Sequence, residues 1–164
     1  MTRPHADLRP EDVTAVVDRR EQRPLDLELK MVPGTLATGD YAPLGLEHLV
    51  CVERKSLEDL CLVVGRERER FERELQRMQA YETRVIVVES SMASIELGQY
   101  RSKVSPAAVI GSIYSWIARG ITVELAGDRT RAAKAVSRIL FSAARQRWRE
   151  LRAFQESLKI AGGQ

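Results

Sequence analysis

Long apolar runs are absent from this sequence of 164 residues, and cysteine, histidine and aromatic residues are few. No segment approaches the roughly 18 consecutive apolar residues that a membrane-spanning helix requires, and the N-terminal region lacks the apolar segment of a signal peptide. These absences argue against a membrane protein and against a secreted, disulfide-stabilised domain. The two cysteines, Cys51 and Cys61, lie between apolar neighbours, so we expect small buried side chains of a reducing compartment.

The length fits one domain, because domains usually contain roughly 100–200 residues, and it is sufficient to bury a hydrophobic core. Hydrophobic residues make up 44% and charged residues 30% of the chain, and these near-average fractions argue against wholesale disorder. We expect a flexible arm over residues 1–12, a single domain over residues 13–159 that ends in a long helix, and a frayed tail over residues 160–164.

Charge is unevenly distributed along the chain. Residues 1–65 hold 8 Lys and Arg against 12 Asp and Glu, a net charge of −4, whereas residues 66–164 hold 18 against 11, a net charge of +7. Arginine supplies 21 of the 26 cations, and its planar guanidinium binds phosphate through two hydrogen bonds, as lysine cannot. The acidic first third suits a metal ion and the basic remainder suits a polyanion, although basic helices are as often plain solvated surfaces.

Short apolar segments alternate with amphipathic ones. Strands are predicted at residues 14–18, 29–32, 49–55, 84–89 and 121–125, and the first of them has the pattern of a buried strand. Helices are predicted after Ser56, at residues 66–81, from Pro106 to Gly120, and from about Arg129, where an apolar stripe comprises Val136, Leu140, Ala144, Trp148 and Leu151. The alternation predicts a three-layer α/β fold. No helix separates the first strands, so that end of the sheet is expected to be antiparallel or mixed.

One predicted strand ends in three charged residues, Glu53, Arg54 and Lys55. Because side chains alternate along a strand, Glu53 and Lys55 share one face and Arg54 points to the other. Charges at the end of an apolar strand suit a hard-cation site, since Mg²⁺ prefers one or two carboxylates together with water and substrate phosphate. Asp40 and Glu53 are candidate ligands, with Asp18 as a third or outer one, and Lys55 would orient or deprotonate an attacking water.

Each of these residues also has an ordinary structural interpretation. Asp40 follows a glycine, and such a dipeptide is common in turns. Glu53 and Lys55 together are typical of a surface ion pair at a strand end. Asp59 lies at the third position of a predicted helix, where capping acids are frequent, and Glu21 is compatible with an ordinary loop. The order and spacing of the residues, rather than any one of them, favour a functional site.

Three segments, in order, resemble the signature of the nuclease domain of the XPF family, which includes the archaeal helicase-associated nuclease Hef. They are Val16-Val-Asp18-Arg-Arg20-Glu21, Gly39-Asp40-Tyr41 and Val52-Glu53-Arg54-Lys55-Ser56-Leu-Glu-Asp59-Leu60. These match a VVDxRE strand end, a GD turn and ERKxxxD. The resemblance covers roughly residues 13–145, nearly the whole chain.

The resemblance implies a restriction-endonuclease-like fold, a variant of the PD-(D/E)xK core, with a central mixed sheet between two helical layers. By similarity, Asp40 and Glu53 bind Mg²⁺ or Mn²⁺ and Lys55 positions the nucleophilic water. The implied reaction is phosphodiester hydrolysis in DNA, typically near single-strand/double-strand junctions, in repair or recombination. Further motif positions are occupied by Asp18, Arg20, Glu21, Arg54 and Asp59.

Basic residues in the second part of the chain are expected to bind DNA phosphates without reading sequence. With Arg20, these candidates are Arg66, Arg68, Arg70, Arg101 and Lys103. The chain departs from the family in three ways. We find no tandem helix-hairpin-helix pattern and no helicase or nucleotide-binding motif such as GxxxxGK[ST]. The segment between Glu21 and Gly39 is also too short and too interrupted by proline for the helix that many relatives have there. The long helix suits a dimer face or a DNA-facing ridge, so a homodimer or a partner protein both stay open.

Two other functions are compatible with the sequence. A non-catalytic DNA-binding or scaffolding module would use the same fold, but it would not need the acidic triplet. A nuclease acting on RNA is the third, since no residue pattern discriminates a 2′-hydroxyl. We expect a cytoplasmic protein, and nucleoid association or a phage origin both stay open.

Overall fold

A single mixed sheet of six strands runs through the protein, whose computed structural model describes residues 7–161. The strands are β1 (Thr14–Asp18), β2 (Lys30–Gly34), β3 (Tyr41–Pro43), β4 (Val50–Lys55), β5 (Thr83–Val88) and β6 (Thr122–Leu125). Their order across the sheet is β2-β1-β3-β4-β5-β6. The pairs β1–β2, β4–β5 and β5–β6 are parallel, and β3 is antiparallel to both of its neighbours. The prediction of a mixed sheet is thereby confirmed.

Helices cover both faces of this sheet. They are α1 (Leu57–Val64), α2 (Arg68–Met78), α3 (Met92–Glu96), α4 (Pro106–Ala118) and α5 (Arg129–Ala161), and a 3₁₀ turn spans Pro10–Asp12. Serine side chains cap three of the helices by accepting a backbone N–H of the first turn, namely those of Ser56, Ser91 and Ser105. Within the described residues no helix is long and apolar enough to cross a membrane.

Alternation along the strands creates two hydrophobic cores, one on each face. Val50 and Val52 of β4 pack under α5, whereas Cys51 packs with α1, α2 and α4. Cys51 and Cys61 are buried free thiols, and Trp116 packs edge-on against Phe71 with their ring centroids 5.2 Å apart. The predicted three-layer architecture and the buried cysteines are confirmed.

The structure differs from the sequence prediction at short or edge elements. β3 and α3 were not predicted, because a three-residue strand and a five-residue helix are too short to show a period. β2 continues through Pro33, which a sheet edge tolerates because the missing N–H has no ladder partner to lose there. The apolar stripe of α5 is buried only as far as Ala144, and Trp148 and Leu151 are exposed because the helix extends past the sheet.

The predicted arm and tail lie partly outside the described residues, namely at residues 1–6 and 162–164. Within the described part, Asp7 accepts hydrogen bonds from Arg145 and Arg149 of α5. The domain limits stay predictions.

Candidate active site

The charged ends of four strands lie together at one edge of the sheet. The carboxyl ends of the mutually parallel β1, β4 and β5 lie there, together with the start of the antiparallel β3. A cleft of about 560 Å³ opens at this edge. It is lined by Arg20, Glu21, Gln22, Arg23, Asp40, Glu53, Arg54, Lys55, Ser56, Asp59, Arg70, Glu89 and Arg129. Most of the predicted site residues are therefore brought together, although three separate segments supply them, namely the loop after β1, the turn before β3 and residues 53–59.

Asp40 is positioned by a turn that requires glycine before it. Gly39 has φ of +82°, and a Cβ atom added there would lie 2.7 Å from the Cys51 Sγ atom, so a side chain is excluded on both grounds. The Asp40 N–H donates to the Val52 carbonyl at 2.8 Å. Its Oδ2 atom accepts the Arg54 N–H at 2.8 Å. The carboxylate of Asp40 is thereby fixed beside the end of β4.

Glu53 and Lys55 are buried side by side on the same face of β4. The two residues are 5% and 8% exposed, and the Lys55 ammonium donates to Glu53 Oε1. The ammonium also lies 4.8 Å from the centroid of the Phe71 ring of α2, a cation–π contact that fixes its position from the other side. The surface-pair interpretation of Glu53 and Lys55 is wrong, because both are enclosed by the core of that face.

Burial disfavours the ionised forms of Asp40 and Glu53. Desolvation raises the pKa of Asp40 to about 6, although the Arg54 N–H and the charge of Lys55 work in the opposite direction. Desolvation and the charge of Asp40 raise the pKa of Glu53 well above its usual range. Burial alone would lower the pKa of Lys55, but Glu53 and Asp40 raise it, so Lys55 stays protonated. The half-buried Glu74 of α2 adds to the repulsion of both carboxylates.

Replacing Asp40 with Asn is expected to stabilise the protein at alkaline pH. The folded pKa of about 6 lies above the ordinary value of 3.8, so stability is lost progressively as the pH rises from about 4 to about 6, and the loss is complete above that range. The variant should exceed wild type by about 1–3 kcal/mol at pH 8 and match it near pH 4. Urea unfolding across this pH range measures the difference, with the exposed Asp26→Asn as the matched control. A variant less stable than wild type at pH 8 would contradict the assigned cost.

Arg54 points to the opposite face and holds a buried network together. Its side chain is 8% exposed and lies 3.4 Å from both Glu21 Oε1 and Glu89 Oε1. It also donates to the Arg23 carbonyl at 2.8 Å. Arg129, the first residue of α5, donates to Glu89 at 3.1 Å and to the carbonyls of Arg23 and Pro24 at 2.8 and 2.7 Å. The two guanidinium groups thus fix the loop that carries Glu21.

Asp18 lies beside the cleft with both carboxylate oxygens engaged. They accept the Arg20 N–H and guanidinium at 2.7–3.1 Å and the Leu36 N–H at 2.7 Å. The hydrogen bonds from the Arg20 side chain are the main reason that the pKa of Asp18 falls to about 2. Asp18 is therefore an ionised anchor that holds Arg20 at the rim of the cleft.

The remaining predicted residues are distributed over two surfaces. Asp59 accepts the Ser56 hydroxyl at 2.7 Å, as its capping interpretation predicts, and it also lies 3.9 Å from the Arg54 guanidinium. Arg20 and Arg70 line the cleft. The other predicted DNA-binding residues lie elsewhere: Arg68 on the exposed side of α2, and Arg66, Arg101 and Lys103 around a second cavity.

The donor set of the cleft suits a divalent cation bound by few protein ligands. Within residues 7–161, no three His, Cys, Asp or Glu side chains are placed to hold one metal ion together. Asp40 and Glu53 form a pair of desolvated carboxylates that repel each other and share one ammonium. Two carboxylates, with waters and a substrate phosphate completing the shell, are the usual arrangement for Mg²⁺.

Sequence reasoning missed Glu89 and Arg129, although both line the cleft. Glu89 had a usable signal, since it directly follows the apolar strand β5 just as the charged residues of β4 follow theirs. Arg129 had none, because its contacts lie more than 100 residues away along the chain.

Comparison with known proteins agrees with this geometry. No curated protein matches the chain. Among solved structures, XPF from Aeropyrum pernix is 22% identical with a TM-score of 0.64, over 90% of this chain and 73% of that one. XPF from Aeropyrum pernix in complex with DNA is 23% identical with a TM-score of 0.62, over 80% and 64%. These likenesses confirm the restriction-endonuclease-like fold. The model of the ERCC4 domain family matches residues 13–139, most of the sequence, and the chain therefore belongs to the ERCC4 domain family.

Proposed function

We propose that this protein is a metal-dependent endonuclease that hydrolyses phosphodiester bonds in DNA, with branched DNA or single-strand/double-strand junctions in repair or recombination as its substrates. One observation carries the proposal: Asp40, Glu53 and Lys55 converge in a cleft where burial disfavours the charge of both carboxylates. A purely structural module gains no stability from such a pair. Family membership and the likeness to a protein solved with DNA support a DNA nuclease or DNA-binding module.

In this proposal Asp40 and Glu53 hold Mg²⁺ or Mn²⁺. The ion, when bound, supplies positive charge that activates water and neutralises the phosphoryl group. Lys55 orients the attacking water, because its ammonium lies beside Glu53, to which it donates a hydrogen bond. The water oxygen bonds to phosphorus and the P–O ester bond breaks, and the proton that the water releases passes through solvent to the leaving alkoxide. Arg20 and Arg70 at the rim offer cations to the flanking phosphates.

The proposal is tested with end-labelled splayed-arm, flapped, single-stranded and plain duplex DNA. We expect cleavage of DNA only with Mg²⁺ or Mn²⁺, loss of it with a chelator, and faster cleavage of the junction substrates. The same ions should raise the Tm of wild type but not of Asp40→Asn, because a ligand that binds only the folded state stabilises it. DNA binding without cleavage at any metal concentration would overturn catalysis and favour the scaffolding module, and cleavage of RNA alone would overturn the substrate.

A further inference from the structure

A second cavity of about 730 Å³ lies between α1 and the loop of residues 99–104. Its lining residues are Glu58, Cys61, Leu62, Arg66, Arg101, Ser102, Lys103 and Val104. Cys61, Leu62 and Val104 form an apolar floor, and the exposed side chains of three cations surround it. Within the described residues, the side chains of Arg66, Arg101 and Lys103 make neither an ion pair nor a hydrogen bond. Below, this cavity is called the α1 groove.

The loop that carries two of these cations is held in place by its own hydrogen bonds. The Arg101 N–H donates to Glu58 Oε1 of α1 at 3.1 Å. The Tyr100 hydroxyl donates to the Val104 carbonyl at 2.9 Å, and the Val104 N–H donates to Ser102 Oγ at 3.2 Å. Glu58 is the one acid in the lining, and it is engaged with this backbone. The cations are therefore presented on a fixed wall with a net positive charge.

The α1 groove lies next to the cleft along the chain and in space. Ser56 and Asp59, at the start of α1, line the cleft, whereas Cys61 and Leu62 further along line the groove. From Ser56 in the cleft to Leu62 in the groove, six residues of helical rise extend about 9 Å at 1.5 Å per residue. A DNA strand in a duplex advances about 3.4 Å per nucleotide, so this length corresponds to roughly three nucleotides.

We infer that the α1 groove binds the sugar–phosphate backbone of the DNA strand roughly three nucleotides from the bond that is cut; this inference rests on the proposed function and deepens it. Guanidinium groups that lack protein partners suit phosphate oxygens, which they bind through two hydrogen bonds. The apolar floor suits the sugar rings between those phosphates. The strand that leaves the cleft is thus held on a fixed path along α1.

The test compares two double variants with the same change in net charge. Arg101→Gln with Lys103→Gln removes two cations of the groove, and Lys134→Gln with Arg138→Gln removes two exposed cations of α5 as the control. Affinity for labelled splayed-arm DNA is measured against salt without metal. We expect the groove variant alone to lose roughly 10-fold or more in affinity at 0.1 M salt, and its salt slope to fall by about 1.4 for a single strand or 1.8 for duplex.

Three further measurements distinguish a failure of this inference from a failure of the proposed function. Substrates whose single-stranded or duplex arm ends within three nucleotides of the cut should bind the groove variant and wild type equally. The arm whose shortening removes the difference in affinity between the two proteins contains the strand that the groove binds. Hydrolysis of bis(p-nitrophenyl) phosphate with Mn²⁺ should be unchanged in the groove variant, and its absence in wild type would contradict the proposed catalysis alone. Equal losses in both double variants, or capture of a polyglutamate peptide by the groove with unchanged DNA affinity, would overturn the inference.

Discussion

Replacing Glu53 with Gln is expected to reduce metal-dependent cleavage of DNA by at least about 10²-fold, the scale on which loss of a charge-stabilising group acts. Gln keeps the size of the side chain but removes the negative charge proposed to hold the metal. The variant should still fold, since burial and Asp40 already oppose the charge that is removed and the Gln carbonyl oxygen can still accept the hydrogen bond of the Lys55 ammonium. Single-turnover cleavage at saturating enzyme measures the chemical step.

Glu124→Gln on β6 is the matched control for this experiment, because Glu124 is exposed and lies outside the cleft. It should cleave at the wild-type rate. A folded Glu53→Gln variant that also cleaves at the wild-type rate would remove Glu53 from the reaction. DNA affinity without metal should stay unchanged in both variants, which separates loss of chemistry from loss of binding.

Replacing Arg54 with Met is expected to lower the free energy of unfolding by about 3–5 kcal/mol, the range measured when one partner of a buried ion pair is removed. The substitution keeps an apolar stem but leaves Glu21 without its guanidinium and Glu89 with Arg129 alone. Both carboxylates are mostly buried, with side chains 9% and 13% exposed. The Arg23 carbonyl also loses one of its two donors.

Urea unfolding at pH 7 measures this change, with the exposed Arg138→Met as the control that removes the same charge outside the network. Arg54→Lys keeps the charge but not the guanidinium fork, so its loss should be intermediate. If Arg54→Met fails to fold, the intermediate stability of Arg54→Lys still tests the network. A loss below about 1 kcal/mol in Arg54→Met would mean that Glu21 and Glu89 are stabilised by solvent rather than by Arg54.

The layers of the fold were predictable, because the spacing of apolar residues along a helix or strand shows that one of its faces is buried. The strand ending in Glu53 and the helix beginning at Pro106 show their periods clearly. β3 does not, since its three residues lie between Gly39 and Gly45 and its extended form comes from pairing with β1 and β4. The stripe of α5 marks an apolar face but not how far the sheet beneath it reaches, so Trp148 belongs to the stripe and is nevertheless 40% exposed.

The candidate site was predictable where a motif is local and unpredictable where contacts are remote. Glu53 and Lys55 share a face because a strand alternates, and Asp40 needs the glycine before it. The sequence could not assign Asp18 as an anchor, because that role depends on Leu36, 18 residues away. It could not place Arg101 apart from Arg70 either, since both are simply basic until the loop after α3 docks on α1.

Arg129 contacts residues that are distant in the sequence, and this has a consequence for the newly made chain. Its bond to the Arg23 carbonyl spans 106 residues, and such distant contacts form late because a large loop must close first. At a synthesis rate of roughly 5–20 residues per second, Arg129 emerges on the order of 5–20 s after Arg23. During that interval the loop of Glu21 depends on Arg54 and on the Tyr41 hydroxyl, which accepts the Leu25 N–H. We therefore expect a ribosome-bound chain that lacks α5 to have a protease-sensitive loop at residues 19–28, and the cleft to be completed only after Arg129 has been made.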